Sequence, residues 1–209
     1  VALLYVYALT DRRIRSWTNA GRRIQSVEVA PVFVVCERRR TSPPLTEAEL
    51  RRQYAVVHRI AETAPALLPA RFGSLVDEQE LATIIGSRSG VLCKALDHVS
   101  GKVQMTVRLA VGVGAVTRKP RSGRAYLEER RSGHIANLPP SARELVDRLR
   151  TLAVDEKVHA GRPGVVAIYH LVDRSDVASY LNRLSSVNVE SLAVTGPAPP
   201  FAFTPELTL

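Results

Sequence analysis

The sequence predicts an α+β fold built in two halves, and three observations carry that expectation. Apolar residues recur at helical spacing up to Val99. Val103, Met105, Val107, Leu109 and Val111 then alternate with Gln104, Thr106, Arg108 and Ala110, the period of a strand with one buried face. Thr46 with Glu49 and Ser141 with Glu144 have the spacing of capping boxes, one in each half, each ahead of an apolar helical repeat. A chain of 209 residues has room for two such halves and can bury a core without disulfides or metal staples.

Element by element, Leu3 to Leu9 reads as a first strand and Asp11 to Arg23 as an Arg-rich segment. Ile24 to Val35 is a strand interrupted by Pro31, and Thr41-Ser42-Pro43-Pro44 is a loop. The first capped helix carries Leu50, Tyr54, Val57 and Ala61 on one face and stops before Pro65. Asp77 caps a helix with Leu81, Ile84 and Ile85 that is expected to end at Gly86. Ser89 is expected to open another, with Leu92, Ala95, Leu96 and Val99. Beyond the alternating strand, Thr117 to Gly123 is a basic loop and Tyr126 to Arg131 is helical. After Pro139-Pro140, Leu145, Val146, Leu149, Leu152 and Ala153 form a helix face. Val165 to Val172 is a strand, Val177, Tyr180, Leu181 and Leu184 mark a helix, and Val189 to Thr195 is the last strand. This order is ferredoxin-like but lacks one clear strand. The expected division is an α+β domain over 1–98, a ferredoxin-like domain over 99–194, and a proline-rich tail, 195–209, packing back on the first domain.

Composition narrows the function classes. The apolar opening from Val1 to Leu9 has no basic region before it and is followed by Asp11-Arg12-Arg13, unlike a signal peptide. No apolar run is long enough to span a bilayer, so no membrane insertion and a cytoplasmic location are expected. Cys36 and Cys93 have no metal-ligand spacing and are expected as free thiols. The net charge of +9 favours anionic partners, although 25 of the 29 basic residues are Arg, a bias that genome composition also produces. The basic clusters are Arg12, Arg13 and Arg15; Arg22 and Arg23; Arg38, Arg39 and Arg40; and Arg51 and Arg52, with Trp17 among them. Arginines beside a stacking aromatic suit single-stranded nucleic acid, yet aromatics do not interleave the clusters. A solvated basic face is the expectation, and nucleic acid is the second choice of partner.

Catalytic chemistry finds little support. Gly112-Val113-Gly114 lacks the third glycine of a dinucleotide turn and runs into a basic loop, so no helix N-terminus follows to hold a pyrophosphate. His58, His98, His134, His159 and His170 show no metal-ligand spacing. Glu128-Glu129 stands beside Arg130-Arg131, an ion-paired face more than an acid–base pair. No serine sits in a nucleophile elbow. No enzyme activity, cofactor or metal is expected.

Three short motifs occur in order. They are Leu68-Pro69-Ala70-Arg71-Phe72-Gly73, then Gly123-Arg124-Ala125-Tyr126-Leu127, then Thr195-Gly196-Pro197-Ala198-Pro199-Pro200-Phe201-Ala202-Phe203. With the opening strand Leu4 to Ala8 and the stretch Leu171-Val172-Asp173-Arg174, they resemble the gas vesicle protein L/F family over most of the chain. The resemblance implies two α+β domains, the second a modified ferredoxin fold. It also implies a non-enzymatic accessory or minor structural role in gas vesicle assembly, with the small hydrophobic shell protein and other accessory proteins as partners, in the cytoplasm at the vesicle. Ala198 stands where the family has Trp, and Phe201-Ala202 where it has Tyr-Ser.

The motif residues also make physical sense by themselves. The Arg71 guanidinium suits a carboxylate or carbonyls between domains, and Gly73 frees the backbone to turn. Pro197, Pro199 and Pro200 are expected to hold the tail as an extended strap. Phe201 and Phe203 would then bury near Phe72 and the helix bearing Leu50 and Val57.

Overall fold

The computed structural model describes residues 3–110, 140–162, 165–185 and 192–206. The chain is α+β with two separate sheets and divides into two compact units: residues 1–102 with 199–209, and residues 103–198.

In the first unit, β1 (Leu3–Thr10) is the axis. It pairs antiparallel with β4 (Val32–Arg39) on one side and with both β5 (Leu67–Pro69) and β6 (Leu75–Val76) on the other. β3 (Arg22–Val29) and β2 (Trp17–Asn19) extend the sheet beyond β4. The interruption expected at Pro31 is a hairpin: Val29 faces Val32 across it, and the ladder resumes on both arms. Every β1 residue after Leu3 is buried, so both faces of the strand are covered.

Helix α1 (Glu47–Thr63) is capped by the Thr46 hydroxyl, which accepts from the Glu49 amide. Its buried face differs from the expected one. Gln53, Val56, Val57 and Ile60 are inside, whereas Leu50 and Tyr54 are exposed. The polar Gln53 occupies the core line because its amide is hydrogen-bonded there, and that rotates Tyr54 outward. A second difference is α2 (Glu78–Val99), one continuous helix capped by Asp77. Gly86 and Gly90 do not break it, because Leu81, Ile85, Leu92, Leu96 and Val99 form one buried stripe whose packing outweighs roughly 1 kcal/mol of glycine cost per site.

The second unit runs β7 (Lys102–Ala110), α3 (Pro140–Arg150), β8 (Ala153–Arg162), β9 (Val165–Asp173), α4 (Val177–Ser185) and β10 (Leu192–Ala198). Its sheet has the order β10-β7-β9-β8. Met105, Val107 and Leu109 of β7 meet Leu145, Val146 and Leu149 of α3 and Tyr180 of α4 in one core. β8 is the strand that sequence did not show. Its Val154 is exposed and its Asp155, Glu156 and Lys157 are polar, so no apolar alternation marks it. Ser141 lies inside α3, whose first residue is Pro140, and is not at the cap position. Ala153 begins β8 and does not continue the helix face. β10 reaches Ala198, beyond the expected end at Thr195.

Candidate functional site

The first motif is held by a buried hydrogen-bond network. The Tyr5 hydroxyl of β1 donates to the Gln53 side-chain carbonyl on α1. Gln53 Nε2 donates to the Ala70 carbonyl at 3.1 Å, and the Gly73 amide donates to the Tyr5 oxygen at 3.3 Å. Two tertiary side chains thus fix the motif backbone at both ends. Gly73 has φ +90°, where a side chain would strain the turn. Leu68 and Pro69 are buried in β5, and Phe72 stands edge-on to Tyr5, with centroids 6.5 Å apart.

The closing motif folds within the same unit from Pro199 onward. Pro199 and Pro200 are buried and Phe203 is nearly so. The backbone is not an extended strap: Phe201 donates to the Pro199 carbonyl at 2.8 Å and Phe203 to the Pro200 carbonyl at 3.0 Å, closing a 3-10 turn over Phe201–Phe203. The Arg71 guanidinium reaches the Glu206 carboxylate at 2.8 Å, and Arg88 donates to the Glu206 carbonyl. The carboxylate that Arg71 holds therefore belongs to its own unit. Pro69, Ala70, Arg71, Phe201, Thr204 and Glu206 enclose a small cleft of about 120 Å³ between the two motifs.

The surface outside this junction carries three exposed apolar side chains among charged neighbours. Leu50 and Tyr54, one helical turn apart on α1, are 42% and 51% exposed, and Phe201 is 39% exposed. The Tyr54 and Phe201 rings stack at 8° with centroids 6.2 Å apart, and the His58 imidazole lies 4.1 Å from Tyr54. Burial lowers the His58 pKa, outweighing the opposite pull of Glu62, which favours the neutral imidazole. Leu50 and Tyr54 of α1 and Phe201 of the closing motif thus leave three large apolar side chains open to solvent beside one another.

The basic residues separate into two kinds. Arg39 is buried and Arg52 largely covered beside Glu37, which is 1% exposed. Arg39 Nε donates to Glu37 and its Nη2 to Glu49 at 3.1 Å; Arg52 Nη2 donates to the other Glu37 oxygen at 2.7 Å. Arg39 also lies 5.0 Å above the Tyr5 ring. Burial works to raise the Glu37 pKa, but the hydrogen bonds and charges of Arg52 and Arg39 outweigh it and hold the carboxyl below the usual range. Arg12, Arg13, Arg15, Arg22, Arg23, Arg38 and Arg40 are exposed. Arg12, Arg13 and Arg38 carry surface ion pairs with Asp11, Glu28 and Glu78.

In the second unit, Gly196 has φ +134°, and an added Cβ would lie 2.8 Å from the Gln104 carbonyl and the Met105 sulfur. Only glycine lets β10 approach β7 so closely there. Asp173 ends β9 and Arg174 opens a 3-10 turn, both at the strand-to-helix junction. Pro197 lies in β10. Gly123, Arg124, Tyr126 and Leu127 lie outside the described residues, as do Gly112, Gly114, Glu128, Glu129 and His134. A buried relay escaped the sequence reading: His170 Nε2 is 3.1 Å from Glu156 and its Nδ1 is 2.6 Å from the Tyr180 hydroxyl. Because the carboxylate only accepts, Nε2 carries the proton shared with Glu156. Arg150 closes the relay with two bonds of 3.0 Å to Glu156. His170 and Tyr180 are fully buried, so the relay braces β8, β9 and α4.

Cys36 and Cys93 are free. Among the described residues no cluster of His, Cys, Asp and Glu has the geometry to hold a metal, and no helix is long and apolar enough to cross a membrane.

Residues 3–205 match the family model described as gas vesicle synthesis protein GvpL/GvpF. The comparison with curated proteins finds no match. Among solved structures, the gas vesicle protein GvpF from Anabaena sp. PCC7120 aligns with a TM-score of 0.77 at 13% identity, over 100% of this chain and 98% of that one. GvpF from Microcystis aeruginosa aligns with a TM-score of 0.74 at 13% identity, over 97% and 99%. At this identity the structural likeness is one of fold.

Proposed function

The chain belongs to the gas vesicle synthesis protein GvpL/GvpF family, and on that premise we propose that it is a non-enzymatic accessory or minor structural protein of gas vesicle assembly. It binds the small hydrophobic shell protein in the cytoplasm and aids its nucleation. The observation that carries this reading is the exposed face of Leu50, Tyr54 and Phe201, built where the two family motifs meet. A small apolar subunit awaiting assembly needs a partner that covers hydrophobic surface without engulfing it, and a flat aromatic face does that. We read the two compact units as two domains. The order β10-β7-β9-β8, with one helix before β8 and one after β9 among the described residues, supports a modified ferredoxin-like second domain.

The test is co-expression with the shell subunit of the same genome, followed by pull-down. The wild type is expected to retain the subunit. A variant with Leu50→Asp and Tyr54→Ser is expected to lose it while melting within a few degrees of wild type, because both positions are exposed. Failure of the wild type to capture the subunit would assign the chain to a different assembly.

A further inference from the structure

At the C-terminal end of α1, a second concave surface is built from residues that the docking face does not use. Arg13, Arg15, Ser16, Trp17, Arg59 and Thr63 line a cavity of about 490 Å³. The segment that carries three of its guanidinium and hydroxyl groups is anchored. Ile14 is buried in the core beside Ile24 and Ile60, Trp17 packs on the same cluster, and the Thr10 hydroxyl donates to the Arg12 carbonyl at 2.8 Å. With Ile14 pinned inward, Arg13 and Arg15 on either side of it are exposed. Arg59 comes from the last turns of α1, and its guanidinium sits 5.0 Å from the centroid of the Trp17 ring.

The charge at this cavity is not neutralised from within. Among the described residues no carboxylate lines it. Arg13 pairs with Glu28 at 3.2 Å in an exposed contact, which is weak and exchangeable. Arg15 and Arg59 have no carboxylate partner among the described residues. An inorganic anion would need the guanidiniums alone. The half-buried indole, with a guanidinium plane against it, adds flat polarisable surface suited to an aromatic ring. The volume falls within the roughly 300–1,000 Å³ of small-ligand sites.

We propose that this cavity binds a nucleotide unit, its base against the Trp17–Arg59 pair and its phosphate on Arg13 and Arg15. The unit is either a free nucleotide or one residue of a single strand. The assignment is independent of the shell-protein reading and uses no residue of that face.

Trp17 is the only tryptophan in the chain, so its fluorescence reports on this cavity alone. The full-length protein is titrated with adenosine monophosphate, inorganic phosphate and octauridylate at physiological salt. The nucleotide probes are expected to quench saturably and phosphate to bind at least about tenfold more weakly than the monophosphate. Tighter binding of octauridylate, falling steeply with salt, identifies the single strand as source; equal or tighter binding of the monophosphate identifies the free nucleotide. Arg15→Gln with Arg59→Gln is expected to weaken binding about tenfold or more, while Arg23→Gln, exposed and outside the cavity, leaves it unchanged. Melting curves of both variants verify folding. No saturable quench by either nucleotide probe, phosphate binding as tightly as the monophosphate, or an equal loss in Arg23→Gln would overturn the proposal.

Discussion

The two ends of α1 use the same residue type for opposite purposes. Toward its N-terminus, Arg39 and Arg52 are packed against Glu37 and Glu49, and their charge is paired within the fold. Toward its C-terminus, Arg15 and Arg59 face an open cavity with no carboxylate on its lining among the described residues. In the sequence, Arg39 is indistinguishable from its neighbours Arg38 and Arg40, so a count of basic clusters overstates the charge offered to a partner. Strand alternation separates them: Arg39 shares with Glu37 the face that lies under α1, whereas Arg38 and Arg40 are exposed.

The comparison breaks most visibly at the buried end. Glu37→Gln takes the buried carboxylate from Arg39 and Arg52 and leaves them only the partly exposed Glu49. Loss of one partner from a buried ionic cluster costs about 3–5 kcal/mol. Urea unfolding at pH 7 is expected to show a loss of that size, with m unchanged. The pH dependence has a definite sign. The folded-state pKa of Glu37 is depressed, so its contribution is fully present above the unfolded carboxylate value of about 4.3 and disappears as pH falls through the folded value. The wild type should therefore lose stability through that acid range, and the variant should show a flatter acid limb. An equal acid limb in both proteins would mean that Glu37 is not ion-paired.

An intermediate case lies in the second unit. Burial works to raise the Glu156 pKa, but the hydrogen bonds of His170 and Arg150 and their charges bring it down to about 2. This relay is half-open: Glu156 is 17% exposed and Arg150 is 44% exposed. Glu156→Gln is expected to cost about 1–3 kcal/mol, less than the change at Glu37, because water replaces part of what Arg150 loses. Since the folded pKa is depressed, the stabilisation is complete above the unfolded value and is lost between there and about pH 2. A cost as large as that of Glu37→Gln would show Arg150 to be shielded from solvent.

How much of this was legible in the sequence depends on the range of the interaction. β1, α1, β7, β9 and α4 declare themselves by local period and caps. The continuity of α2 does not, because Gly86 and Gly90 read as breaks until the tertiary stripe of Leu81, Ile85, Leu92 and Leu96 is seen. β8 is invisible because most of its side chains serve a relay and solvent, and only Val158 is seen to pack on the core. At the candidate site, the motif residues were found by resemblance. Their supports were not: Gln53 under Ala70, Tyr54 against Phe201 and Arg59 over Trp17 are pairs from distant segments. One signal was present. A glutamine one turn before Val56, Val57 and Ile60, in line with them, marks a polar group with a buried partner to find.

The smallest expected effect is at the open end of α1, and there the near-absence of an effect is the informative result. Arg15→Gln and Arg59→Gln remove charge from exposed side chains that hold no ion pair among the described residues. Arg59 gives up its contact with Trp17, and an exposed cation–π pair is worth about 0.5–1 kcal/mol. Arg15 has no such contact, so its substitution should fall within about 0.5 kcal/mol of wild type. Like-charge repulsion among Arg13, Arg15 and Arg59 is relieved at the same time, which offsets part of the Arg59 cost. The double variant should therefore unfold in urea within about 1 kcal/mol of wild type, and the gap should widen slightly in high salt, which screens the repulsion that the substitutions relieve. A larger loss would show that these arginines are structural like Arg39 and Arg52, and the contrast between the two ends of α1 would collapse.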